Sequence, residues 1–320
     1  DSAYYYFSKA QKIYKSLGDN INSAKLLRSL AGVQTAVHDN TGALATLTEA
    51  IKLLGDLEDN VLLYRIYNTM GIASYPLDEF EEALGYYELA SQYLAKTNRG
   101  NDSYAGLDNN IGVVEFAQGN YEKAKLVYEK AISYDSLFLL KPDLYAKLLD
   151  HIAMTNLKLG ETTTVENDLT RALYIRDSIG DLEGLSLNYY NLSLYFKETG
   201  NIADAYVYAR SSRDVAKEIN NNLRYMESLK LLAKLDPTKA ASYNKEYIQL
   251  SDSLQKEERK IRNKFQRIQF ETEETAAENK ALARQNILWA GIALGIFLFA
   301  VSLYIICLLY TSPSPRDFSC

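Results

Sequence analysis

The sequence predicts an all-α protein: a solenoid of antiparallel helix pairs over residues 1–235, a long charged linker helix over 236–286 and one membrane-crossing helix over 287–306. Three observations carry this. A pattern of small and large residues returns every 40 or 41 positions through the first 235 residues. After Pro237 no Pro or Gly interrupts the chain until Gly291. The run ILWAGIALGIFLFAVSLYII, Ile287 to Ile306, then supplies 20 residues without a charge. Composition agrees: 5 Pro and 16 Gly in 320 residues favour long helices, and 47% hydrophobic residues supply a large core. A net charge of -6 opposes a nucleic-acid surface, which needs clustered Lys and Arg.

The repeat is clearest in IGVVEFAQGNYEKAKLVYEKA, Ile111 to Ala131. A small residue, Gly112, precedes a turn at Gly119-Asn120; Ala124, Tyr128 and Ala131 follow, spaced by four and three, on one helical face. The same triplet reads Ala3/Phe7/Ala10, Ala43/Leu47/Ala50, Ala83/Tyr87/Ala90, Val165/Leu169/Ala172 and Ala205/Ala209/Ser212. The small position of the preceding helix reads Ala31, Gly71, Gly112, Ala153 and Ser193. Turns fall at Asp39-Asn40, Leu77-Asp78, Gly119-Asn120, Gly160-Glu161 and Gly200-Asn201, which is helix-stop and N-cap chemistry. This grid resembles the tetratricopeptide pattern, so the expected fold is a tetratricopeptide-like helical-pair solenoid. It departs from the 34-residue unit in its longer period and in lacking the customary Trp and closing Pro. Asp1 falls at the start of a second helix, so the first helix of that unit is expected to be missing and the exposed face to need a cover.

Arrays of this kind carry no catalytic apparatus; the resemblance implies a groove lined by first helices that holds a peptide or protein ligand. Projecting the grid gives candidate groove residues Arg28, Asn68, Tyr75, Asn109, Phe116, Asp150, Tyr190 and Lys197. Of the 26 tyrosines, Tyr87, Tyr128 and their equivalents fall where interhelix packing wants a large side chain, and Tyr4, Tyr5 and Tyr6 crowd the N-terminal helix. His38 falls in a turn and His151 inside a first helix, neither within a metal-binding or Ser/His/Asp set. There is no Gly-rich phosphate loop. The reading is therefore no catalytic residue, no metal and no cofactor in this chain.

Beyond Asp236-Pro237, where Pro is placed to begin a helix, Leu254, Ile261, Ile268, Thr275 and Leu282 recur every seven residues, with Leu250 and Phe265 on the same side. This is a seam for a parallel homodimer, set against the alternative of a single solvated helix. The 20-residue apolar run, at about 1.5 Å per residue, matches a bilayer core of about 30 Å. Trp289 and Tyr304 lie near its ends, and the Glu-rich near flank permits an outside location for the array. Residues Cys307 to Cys320 resemble a translated sequencing-library adapter, since TGT-CTC-TTA-TAC-ACA-TCT would encode the first six, and are expected to be non-native. Both cysteines lie there, leaving residues 1–306 without a disulfide or a Cys-bound metal.

The segment LSDSLQKEERKIRNKFQRIQFETEE, from Leu250, is similar to the membrane-proximal part of tetratricopeptide-repeat sensor histidine kinases of the Flavobacteria/Bacteroidetes type. That resemblance implies a bacterial inner-membrane, single-pass protein with a periplasmic array and a dimerisation, phosphoacceptor and ATPase region beyond Ile306. A second group with the same array and span ends in a LuxR-type DNA-binding domain, and a plain membrane-anchored scaffold is the third alternative. The segment itself is expected to bind no nucleic acid.

Overall fold

The computed structural model describes residues 2–57 and 59–311. Residues 312–320 of the segment read as a non-native tail lie outside the described residues. The chain divides into two compact units, residues 1–265 and 266–320. All regular structure among the described residues is helical. The helices are α1 (Ser2–Ser16), α2 (Asn20–Ala36), α3 (Asn40–Leu54), α4 (Asn60–Ser74), α5 (Phe80–Leu94), α6 (Asn101–Ala117), α7 (Tyr121–Ile132), the short α8 (Leu137–Leu140), α9 (Pro142–Leu159), α10 (Val165–Ile179), α11 (Leu182–Glu198), α12 (Ile202–Glu218), α13 (Asn222–Leu235) and α14 (Ala240–Thr311).

In the first unit the pairs are α2/α3, α4/α5, α6/α7, α9/α10 and α11/α12, each packed on the next, and α13 pairs with the start of α14. Consecutive first helices also touch, α2 with α4, α6 with α9, α9 with α11 and α11 with α13. The turns repeat one device. A residue in the left-handed region ends the first helix of each pair: His38 (φ 62°), Asp78 (φ 60°), Gly119 (φ 82°), Gly160 (φ 79°) and Gly200 (φ 85°). Side chains then cap α2, α3, α4, α11, α12 and α13: Asp19, Asp39, Asp59, Asp181, Asn201 and Asn221 each accept the backbone N–H of the third helical residue.

Five of the six triplets are fully buried, from Ala43/Leu47/Ala50 to Ala205/Ala209/Ser212. They interlock with the first helices by size. Where the middle residue is Tyr87 or Tyr128, the facing position is Gly71 or Gly112, and a Cβ added to either glycine would lie 2.4 Å from the ring. Where it is Leu47, Leu169 or Ala209, the corresponding grid position carries a larger residue, Ala31, Ala153 or Ser193. The Ser193 hydroxyl donates to the Ala205 carbonyl at 2.7 Å.

The first triplet is a correction. In α1 the covered residues are Tyr4, Ser8 and Gln11, one position beyond Ala3/Phe7/Ala10, and Ala3 is exposed. Gln11 Nε2 donates to Ser23 Oγ at 3.0 Å, a polar contact within the otherwise apolar pairing. Pro237 lies in the turn before α14, whose first residue is Ala240, rather than at the helix start.

The second unit contains the remainder of α14. Its apolar stretch is exposed along its length, and α14 is long and apolar enough to cross a membrane.

Candidate functional site

The first helices carry a line of polar side chains that bond from one pair to the next. Asn110 Nδ2 on α6 donates to Asn68 Oδ1 on α4 at 3.1 Å. Asn109, next to it, donates to Asn110 Oδ1 at 3.3 Å and meets His151 Nδ1 of α9 at 3.0 Å. Because Asn109 Oδ1 accepts there, the imidazole carries its proton on Nδ1. Burial, reinforced by the Lys147 and Arg176 charges, pushes His151 down to about 3, so the ring is neutral at physiological pH. Its face lies against the Tyr128 ring, with centroids 4.9 Å apart.

One step further, Asp150 on α9 is wholly buried. Its carboxylate accepts from Asn188 Nδ2 of α11 at 2.6 Å and faces Arg176 of α10 across 2.6 Å. Arg176 is itself 1% exposed and donates to the Gly184 carbonyl. Burial pushes the Asp150 carboxyl up to about 6 against the pull of Arg176 and the neighbouring amides. A buried pair of this kind holds α9, α10 and α11 in one arrangement.

The eight projected groove residues therefore divide. Asp150 presents no carboxylate to a ligand: its charge is spent on Arg176. Asn109 is buried and its amide is committed to its neighbours; Asn68 is half-buried and accepts from Asn110. Tyr75 and Phe116 are half-buried and pack across the inter-helix turns on Phe80 (6.0 Å) and Tyr121 (5.2 Å). Tyr190 lies under the Arg224 guanidinium at 4.8 Å, and Lys197 pairs with Glu198 at 2.9 Å.

Arg28 differs. It is half-buried on α2, its Nε is buried without a partner, and the positive charge of Arg65 on α4 acts on it. Burial first, and Arg65 second, push its guanidinium below the usual range. No carboxylate pairs with either arginine among the described residues, so this end of the first-helix line is cationic.

Sequence projection did not single out Arg176. The available signal was positional: it follows Ala172 by four, where other pairs place Leu54, Leu94 and Ala216, all buried. A charge on that stripe implies a buried counter-charge. No group of three or more His, Cys, Asp or Glu is placed to hold a metal among the described residues.

No family model matches the chain, and no curated protein matches it in sequence. Solved structures do match in shape. Aspartyl phosphate phosphatase F from Bacillus subtilis aligns with TM-score 0.61 at 13% identity, over 83% of this chain and 73% of that one. A Rap protein complexed with competence and sporulation factor aligns with TM-score 0.60 at 12% identity, over 87% and 88%. A signal-transduction ATPase with a tetratricopeptide repeat sensor from Pyrococcus horikoshii gives 0.58 at 17% identity, over 72% of this chain and 36% of that one. At these identities the likeness concerns fold: the chain is built as a tetratricopeptide-like helical repeat array.

Proposed function

We propose that this chain is the ligand-sensing input module of a membrane-anchored bacterial signalling protein, most simply a two-component histidine kinase whose catalytic region follows the span. The observation that carries the reading is one element, α14, which starts as the partner of α13 inside the array and includes the 20-residue apolar run. A ligand held on the first-helix side would change how the array packs, and a continuous helix would carry the change toward the membrane as a small rotation or slide. It does so only if it binds one packing better than the other. In this reading the array is periplasmic, the span lies in the inner membrane and the working form is a homodimer. A Rap protein of the same architecture holds competence and sporulation factor, which supports a peptide or protein as ligand class. The unpaired Arg28 and the adjacent Arg65 favour a ligand with an acidic group at that end.

Photo-crosslinking tests the reading. A benzophenone amino acid replaces Asn68 or Tyr75 on the first-helix side, or Tyr174, which is 76% exposed on α10. Irradiation in cells producing the full chain should give peptide or protein adducts at the first two sites and none at Tyr174. Equal labelling at all three, or adducts at Tyr174 alone, would reject the first-helix side as the binding face.

A further inference from the structure

The stripe that the sequence offers for pairing two copies is already covered within one chain. Between Tyr243 and Phe265, the residues Tyr243, Tyr247, Leu250, Leu254, Ile261 and Phe265 of α14 are buried or half-buried, while Ile248 and most residues between them are exposed. The near end of this face packs on α12 and α13. Tyr243, Tyr247 and Leu250 join Tyr225, Leu229 and Leu232, the Tyr206 and Tyr243 hydroxyls are 3.2 Å apart, and Tyr225 donates to Glu246. The far end meets α1, at the opposite end of the array. Phe265 is 3% exposed and stacks on Tyr4, itself 5% exposed, with ring centroids 4.1 Å apart and planes 4° from parallel.

Leu250, Leu254, Ile261 and Phe265 are also the positions that would interdigitate in a parallel coiled coil. One face cannot be covered by its own array and by a second copy at once.

We propose that the Tyr4–Phe265 stack is a latch. In the closed form α1 and the last helix pair hold the α14 stripe in cis; in the open form the stripe is released and pairs with that of a second copy. This rests on the reading of α14 as a dimeric relay and adds what controls it. The latch joins the two ends of the array, so a ligand that alters the path between α1 and α13 moves Tyr4 relative to Phe265 without touching either. Coupling then needs only that the ligand prefer the open array.

The test uses the full chain in native membranes with Cys307→Ser and Cys320→Ser. With Ala3→Cys and Lys264→Cys, each one residue from a stacked ring so that Tyr4 and Phe265 stay in place, a flexible bis-maleimide should give an intrachain product of monomer mass. With Ile261→Cys alone, the same reagent reports pairing between copies. Adding Tyr4→Ala should raise the interchain yield by roughly two- to tenfold, the range one aromatic pair contributes to an equilibrium. Tyr4→Phe, which keeps the ring, should leave the yield unchanged, and Phe265→Ser should raise it as Tyr4→Ala does, so that the result does not hang on α1 tolerating substitution. If positions 3 and 264 join only between chains, or not at all, the cis contact is wrong. If they join in cis but Tyr4→Ala and Phe265→Ser both leave the interchain yield unchanged, the contact is structural and the latch is refuted while the dimer stands. If no variant pairs at position 261, the dimeric relay fails and the latch with it.

Discussion

Replacing Gly112 by Ala is the most direct probe of how the pairs interlock. A Cβ at this position would lie 2.4 Å from Cε1 and 2.7 Å from Cδ1 and Cζ of Tyr128. Carbon contacts settle at about 3.5–4.0 Å, so roughly an ångström must be opened. The ring has nowhere to go: it is 1% exposed and sits among Ala105, Ala131, Leu148 and Ile152, with His151 beside it. Overpacking of this kind costs about 1–3 kcal/mol, and a rigid buried ring places it in the upper half of that range. Helix propensity returns about 1 kcal/mol for Gly→Ala, leaving a net loss of about 1–2 kcal/mol. Gly106, on the same helix with nothing within 4 Å of an added Cβ, is the control; Gly106→Ala should stabilise by about 0.5–1 kcal/mol. Tyr128→Leu alone leaves a void and should cost about 2 kcal/mol or more. The double variant Gly112→Ala/Tyr128→Leu recreates the Ala31/Leu47 and Ala153/Leu169 pairings and should lose less than the sum of the singles by about 1 kcal/mol or more. Urea unfolding of the full chain in detergent, with amide exchange in α6 and α7 to localise the effect, measures all four. Equal effects of Gly112→Ala and Gly106→Ala, or strict additivity in the double variant, would refute the size lock.

Three further outcomes follow from the same contacts. Arg176→Met strands the buried Asp150 and should cost about 3–5 kcal/mol, most of it recovered in Arg176→Met/Asp150→Leu; thermal melting of the three chains checks this. His151 and Asp150 oppose each other in acid. The imidazole is held down at about 3 against an ordinary 6.5, so its neutral form costs nothing above 6.5, and stability is lost as pH falls below that, at up to about 1.4 kcal/mol per pH unit. The Asp150 carboxyl is held up at about 6 against 3.8, so the folded state gains as pH falls from 6 toward 3.8. Relative to the parent chain, His151→Gln should therefore melt higher at about pH 5 than at about pH 7, and a pH-independent difference between the two chains would show that His151 does not titrate as described. Ile296→Arg, near the centre of the apolar run, adds about 2.5–3.5 kcal/mol to membrane insertion; the chain should shift from the carbonate-resistant membrane fraction toward the soluble one, and an unchanged fraction would argue against a span there.

The array was legible because its signal is repeated and local. Ala83, Tyr87 and Ala90 recur with the same phase in five pairs, and burial follows. The first triplet slipped by one: α1 buries Tyr4, Ser8 and Gln11, two of them polar, which a grid of small and large apolar residues does not pick out. Projection onto the first helices showed which way a side chain starts but not what it meets. Asn109 and Asp150 turned out to be engaged by His151, Arg176 and Asn188, partners on other helices with no fixed sequence offset. The heptad stripe of α14 was visible as an apolar face in need of a partner; nothing in its spacing distinguishes a second copy from Tyr4 of the same chain.

The polar line along the first helices also sets where the array is stiff. Asn68 to Asn110, Asn109 to His151 and Asp150 to Asn188 tie α4 to α6, α6 to α9 and α9 to α11, each by a directional bond that sliding one pair past the next would stretch. Between α2 and α4 no hydrogen bond crosses among the described residues, and Arg28 and Arg65 push apart instead. Under tension or twist, strain should gather at that N-terminal seam while the middle three joints turn as a block, a hinge built from the absence of bonds rather than from glycine. Pulled from its two ends, such an array would yield one pair at a time, beginning with α2 and α3.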